Sequence, residues 1–436
     1  MSETSGVPEE VAVGQGEAAL RREIGFFGSA FLAFNGVVGA GIFALPESLL
    51  TQFGTFSPWL FPLFGALVLL IAVPFARVAS YFPLSGGPVL YTARFGPLVS
   101  FQVGWLYYVA RVTALAANSN LFVTYAASLW PPLASGIPRG IAILALCGGL
   151  TLVNIVGVRR AIRTLDALTL IKAAPLVAMA VWGLVVSADP VPAFTGLPPL
   201  SGVEAAALLV LYAFVGFENS VVPAGETADA RRTIPRALIV TVVATIALYL
   251  LVQLAYVAVM APGSGGDAPL VAFGIALAGP VGGLLLTAAA LASLAGNLSG
   301  SMTSTPRATF ALARSGLLPG WFGRVSGRYH TPANSILFMG AAGALLALTG
   351  SFIWLAVVST LARLFVYGLS LAALPGVQRQ AGERPRRALY PWLAGGLAVC
   401  FWAMLQSQWP AWRMLLALVA VGSLLYWLAR RSLRRR

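Results

Sequence analysis

Three glycines, Gly36, Gly39 and Gly41, interrupt the apolar run IGFFGSAFLAFNGVVGAGIFALPESLL at 24–50. The run exceeds the about 20 apolar residues that cross a bilayer. Glycine lets the backbone leave helical geometry and approach a small molecule closely, and Pro46 restarts or ends the second half. Unwound peptide in hydrocarbon leaves bare N–H and C=O groups, so such a break survives only inside protein or against a water-filled cavity. The chemistry on offer is therefore backbone hydrogen bonding to a small polar ligand. Close helix packing through small residues is the alternative reading of the same glycines.

A second set of residues carries charge where charge is expensive. Lys172, the single lysine, sits in LTLIKAAPLV, Glu218 in LYAFVGFENS, Arg111 at the middle of 97–129 and Arg363 in STLARLFVYG. A charged side chain at the centre of a membrane helix costs about 2.5–3.5 kcal/mol on insertion scales, so each must face protein or water and find partners. Lys172 stands nine residues past Arg163, so snorkelling to the interface competes with a functional role. Glu218 lies about 15 residues, or about 22 Å, beyond Val203. Arg111 is one candidate partner for it, and backbone carbonyls are another. Arg363 fits either a permeation path or a brace. Asn118, Asn120, Asn297, Ser293, Ser299 and Ser301 can face a site, but such residues more often bond between helices.

These residues need elements to position them. Of 436 residues, 58% are hydrophobic and 10% charged, with mean hydropathy +0.85. Soluble domains carry about 25% charged residues, so the chain is read as an all-α polytopic membrane protein. Twelve apolar stretches are expected: 24–46, 55–80, 97–129, 138–156, 164–187, 203–226, 236–260, 279–311, 333–349, 351–375, 389–407 and 411–430. Of the 28 basic residues, 23 fall in alternate loops and tails on one side, while Arg139 and Arg413 lie on the other. Basic residues stay cytoplasmic, which places both termini there in the plasma (inner) membrane. The net charge of +14 is thus a topology signal and does not call for nucleic acid.

Several function classes drop out. The lone His330 lies in a loop, and Cys147 and Cys400 lie in apolar runs, so no metal site or disulfide framework is read. With Lys172 the only lysine there is no GxxxxGK[ST] phosphate loop, so neither ATP drive nor any cofactor is implied. No catalytic constellation stands out, and an enzyme is not expected. A channel needs a repeated filter or charged ring, and none is visible.

The sixth stretch, LLVLYAFVGFENSVVPAGE, carries a break of its own at Gly216, with Pro223 seven residues on. Five spans separate the two breaks. An odd number inverts the second half, so 23–187 and 203–377 read as inverted repeats of a core spanning 23–377. Paired interrupted helices in corresponding places mark a transporter binding site at the bilayer midplane. Residues 388–430 then form two peripheral helices, 1–22 a disordered cytoplasmic tail and 431–436 a basic tail that touches anionic lipid.

The runs GVVGAGIFALP, PLSGGPVLYTARFGP followed by GWLYY, YAFVGFENSVVPAGETADARRTIPRAL and PRATFALARSGLLP resemble the amino acid-polyamine-organocation superfamily, in order, over the first eight spans. The resemblance implies the LeuT-like five-plus-five inverted repeat with two extra helices, and alternating access. It implies that N–H groups at Val38, Gly39, Ala40, Gly41 and Ile42 take a substrate carboxylate. A helix dipole reinforces those donors. Carbonyls in the first span and around Phe214, Val215, Gly216 and Phe217 accept from the ammonium. Tyr212 or Phe214 is expected to gate the site, with ordinary aromatic packing the competing reading. Lys172 resembles the lysine of sodium-independent members, whose ammonium replaces an ion between spans 1, 5 and 8. Glu218 matches an acidic position tied to proton sensing or to polar links across the core. The expected function is secondary amino acid transport, of neutral amino acids, by proton coupling or exchange. The rival is a polyamine or cationic amino acid carrier.

Overall fold

The computed structural model describes residues 22, 24–84, 86–156, 161–190, 196–221, 223–383 and 387–434, with backbone alone for 161–172 and 432–434. Among them the regular structure is helical, and the sole strand-like feature is an isolated bridge between Ile24 and Thr227. Eight segments are long and apolar enough to cross a membrane, and the shorter helices Phe26–Val37, 173–186 and Ala333–Thr349 are also apolar. Large apolar side chains such as Ile137, Val185, Val281 and Phe401 point outward. Such a surface suits lipid and makes the chain an integral membrane protein.

The first apolar run is two helices, α1 (Phe26–Val37) and α2 (Ala40–Phe53). The expectation that Pro46 ends or restarts the second half is corrected here, because α2 continues through it to Phe53. Proline cannot donate within the helix, and a neighbouring helix engages it from outside, where Gln253 donates to the Pro46 carbonyl at 3.1 Å. Then come α3 (Leu60–Ala79), α4 (Pro97–Ala127), α5 (Gly136–Val156), α6 (Ala161–Val186) and α7 (Leu200–Phe214). After α7 follow α8 (Ala230–Val259), α9 (Pro269–Ser304), the short α10 (Pro306–Arg314), α11 (Ala333–Thr349), α12 (Phe352–Gln380), α13 (Tyr390–Leu405) and α14 (Trp409–Arg434). Helix α9 starts ten residues before the expected 279 and is kinked at Ala278 and Gly279, where Gly279 has φ +59°.

The packing places α7 and the break of α1 and α2 at the centre. Helix α12 lies along α4, α9 along α6, α8 along α3 and α1, and α11 along α5. Helix α13 covers α3 and α12, and α14 covers α4 and α12. Among the eight long apolar segments, those of α7 and α12 are the most buried and that of α14 the most exposed.

Candidate functional site

Between α1 and α2 the backbone leaves helical geometry for two residues, Val38 (φ −75°, ψ 85°) and Gly39 (φ −134°, ψ −136°). The groups this frees are engaged by side chains from three other helices. The Val37 carbonyl accepts from Tyr249 of α8 at 3.2 Å and the Val38 carbonyl from Ser293 of α9 at 3.2 Å. Asn297 of α9 donates through Nδ2 to the carbonyls of Asn35 and Gly36, both at 3.1 Å. The N–H of Ala40, first of α2, donates to Asn118 Oδ1 of α4 at 3.1 Å, and Asn118 Nδ2 donates to Asn297 Oδ1 at 3.0 Å. One two-asparagine chain thus bridges both sides of the break.

The second break follows Phe214. Val215 is extended (ψ 147°) and Gly216 has φ +117°, a backbone state that side chains resist. A 3-10 turn, Phe217–Val221, follows. Glu218, fully buried, accepts from the Gly216 N–H at 2.9 Å, Tyr367 OH at 2.7 Å and Arg363 Nε at 3.1 Å. Arg363 also donates to Ser359 on its own helix. Of the two partners considered for Glu218, Arg111 and backbone carbonyls, neither holds it, and Arg363 of α12 does. Arg111 instead donates to Asn219 Oδ1 at 2.6 Å, and to Thr305 and Ser301, each at 3.2 Å. Helices α4 and α12 therefore grip consecutive residues of the turn.

Glycines let the two breaks touch. A Cβ on Gly216 would lie 2.3 Å from the Gly36 carbonyl oxygen, and one on Gly36 would lie 2.1 Å from Asn219 Nδ2. A Cβ on Gly41 would lie 2.6 Å from the Ala213 Cα. Helices approach this closely only through small residues.

Where the breaks meet there is a cavity of about 20 Å³, room for a water-sized guest. Of the residues singled out from sequence, Gly39, Ala40, Gly41, Tyr212 and Val215 line it. Val38, Ile42, Phe214, Gly216 and Phe217 sit behind this wall. Phe214 packs against Phe61 and Tyr249, and Phe217 stacks on Tyr367 with ring centroids 5.3 Å apart. Tyr212 meets Phe352 edge-on at 5.8 Å. The side chain of Lys172 lies outside the described residues. Arg111, Arg363, Asn118 and Asn297 complete the polar wall. Gly36, Val37 and Ala114 also line it and were not singled out as contacts. Arg111 and Asn118, both picked out in the sequence as polar residues within an apolar stretch, stand seven residues apart, which puts them on one face of α4.

Two interrupted helices crossing at a polar cavity inside an apolar bundle define an integral membrane transporter. The amino acid permease family profile matches residues 24–422, and the chain belongs to that family of transporters, which are not enzymes. It is 30% identical over 380 residues to an uncharacterized transporter of Mycobacterium tuberculosis, covering 85% of this chain and 83% of the relative. It is 26% identical over 458 residues to a branched-chain amino acid permease of Bacillus subtilis, covering 98% and 97%. A cadaverine/lysine antiporter of Escherichia coli is 30% identical over 221 residues, covering 50% and 49%.

Proposed function

We propose that this chain is a secondary active transporter of neutral amino acids that works by alternating access around the cavity between the two breaks. The observation that carries the reading is the crossing at Gly36 and Gly216, beside a cavity whose walls come from both broken helices and which is lined by Ala40, the first residue of α2. Zwitterion recognition follows from the donors of α2 and the carbonyls of the breaks.

Twelve spans arise if α1 and α2 count as one, and α7 with its turn as another. The packing pattern supports a five-plus-five repeat: span 3 lies on span 10 and span 8 on span 5, a pair of contacts that exchanging the halves interconverts. Core 23–377, peripheral helices 388–430 and tails 1–22 and 431–436 are kept as the domain reading. The arginine distribution supports cytoplasmic termini in the plasma membrane, with anionic lipid touching the basic tail.

Two guanidiniums, Arg111 and Arg363, line the cavity, and its nearby carboxylate, Glu218, is committed to Arg363. A cationic amino acid or polyamine meets repulsion there, which favours a neutral side chain. The branched-chain permease matches nearly the whole chain, whereas the antiporter matches half. Sodium independence rests on Lys172. Coupling is then by protons or by exchange, with Glu218 the coupling acid and Tyr212 the gate. A thermal-shift screen of the purified protein against the twenty amino acids, putrescine and cadaverine tests this. Stabilisation by aliphatic amino acids is expected, and stabilisation by the diamines alone would overturn the reading.

A further inference from the structure

Of the five N–H groups expected to take the substrate carboxylate, those of Val38 and Gly39 are spent on the Phe34 and Val37 carbonyls, and that of Ala40 is also in use. The N–H groups of a helix's first turn lack partners within the helix, yet that of Ala40 is taken by Asn118, a side chain 3% exposed that faces the same cavity. The orientation of the Asn118 amide is fixed from both ends. Its oxygen must meet the Ala40 N–H, and its nitrogen must meet Asn297 Oδ1, because Asn297 Nδ2 is spent on the carbonyls of Asn35 and Gly36. The N-terminus of α2 is therefore capped by a neutral oxygen at the place where the amino acid reading puts an anionic one.

We propose that Asn118 is a built-in stand-in for the substrate carboxylate: it caps Ala40 while the site is empty, and the incoming carboxylate displaces it. The inference rests on the amino acid reading above. A carboxylate forms charge-assisted bonds about twice as strong as those of a neutral acceptor, and the α2 dipole adds to the difference, so the exchange runs toward substrate. Displacement also pulls on Asn297, since the two amides share a hydrogen bond. Occupancy at the N-terminus of α2 is thereby linked to the grip on the last carbonyls of α1. Asn118 is a positioning residue on this account, and it competes with substrate as well as organising the site.

The test uses full-length protein in detergent, with the most stabilising of the twenty amino acids and that amino acid's carboxamide as probes. Removing a competitor tightens binding, whereas removing a structural support weakens it. Asn118→Ala should melt lower than wild type without ligand, yet bind the amino acid at least about fivefold tighter, because an unbonded Ala40 N–H awaits it. The carboxamide, a neutral acceptor, should gain clearly less. Asn118→Asp keeps the shape but holds the donor with a charged oxygen and repels the carboxylate, so its affinity should fall about tenfold. Weaker or unchanged amino acid binding by Asn118→Ala, or an equal gain for the carboxamide, overturns the proposal. If that variant does not fold, unchanged or tighter binding by Asn118→Asp overturns it. Failure of every amino acid to bind wild type removes the transport reading itself, whereas wild-type binding with the wrong sign in the variants removes this inference alone.

Discussion

Replacing Arg363 by Met is expected to destabilise the protein through the charge it leaves behind. Arg363 is 2% exposed and Glu218 0%, and the carboxylate would keep neutral donors such as the Tyr367 hydroxyl and the Gly216 N–H but lose its bonded cation. Removing one partner of a buried ion pair costs about 3–5 kcal/mol, while replacing both charges is often close to neutral. The melting point should therefore fall clearly below that of wild type. Glu218→Gln should cost a similar amount, because it strands the guanidinium beside Ser359.

The double variant Arg363→Met/Glu218→Gln decides the matter. Melting curves of the four purified proteins close a cycle in which the double should sit well above the sum of the two losses. If the two shifts add, with coupling below about 0.5 kcal/mol, the pair is not the clamp on the α7 turn described here.

Gly216→Ala, at φ +117° and 2.3 Å from the Gly36 oxygen, should abolish uptake and lower the melting point, whereas Gly149→Ala, with nothing within 4 Å, should be neutral or stabilising by about 0.5–1 kcal/mol. Uptake by proteoliposomes should be the same in sodium and in choline, and Lys172→Ala should reduce it far more than it reduces membrane insertion; sodium-dependent uptake would remove the argument from Lys172. The Glu47 carboxylate holds Tyr256 OH at 2.6 Å and the N–H groups of Gly263 and Gly265 at 2.6 and 2.9 Å. Glu47→Ala should therefore raise hydrogen exchange in 261–268 and cost about 1–3 kcal/mol, and unchanged exchange there would show that the loop holds without it.

The breaks were legible because glycine weakens a helix without adding apolar surface, and the cluster Gly36, Gly39 and Gly41 is answered five spans on by Gly216 with Pro223 behind it. The partners of the breaks were not legible. Sequence gives the depth of Arg111, Glu218 and Arg363 in the bilayer, but their pairing depends on how α4, α7 and α12 are rotated against one another. A hydropathy pattern carries no such phase for helices apolar on every side, so the sequence points to Arg111 as the candidate partner of Glu218 and leaves Arg363 as a permeation-path residue or a brace. Pro46 misled for a related reason: its local rule says stop, and contacts from α8 let α2 run on to Phe53.

How the site pairs its own polar groups bears on how it can turn over. The carbonyls of residues 35–38, the N–H of Ala40 and the carboxylate of Glu218 each have a partner, and the cavity left between them is too small for any amino acid. Substrate must then replace internal bonds one for one and push the breaks apart, so only the difference between the bonds broken and the bonds made appears as affinity. A carrier gains from this arrangement. Were its donors and acceptors bare, each would cost about 1–3 kcal/mol when empty, the ligand would collect all of that on binding, and release on the far side would be slow. A site that satisfies itself when empty keeps binding moderate on both faces and lets the same groups open and close around each passenger.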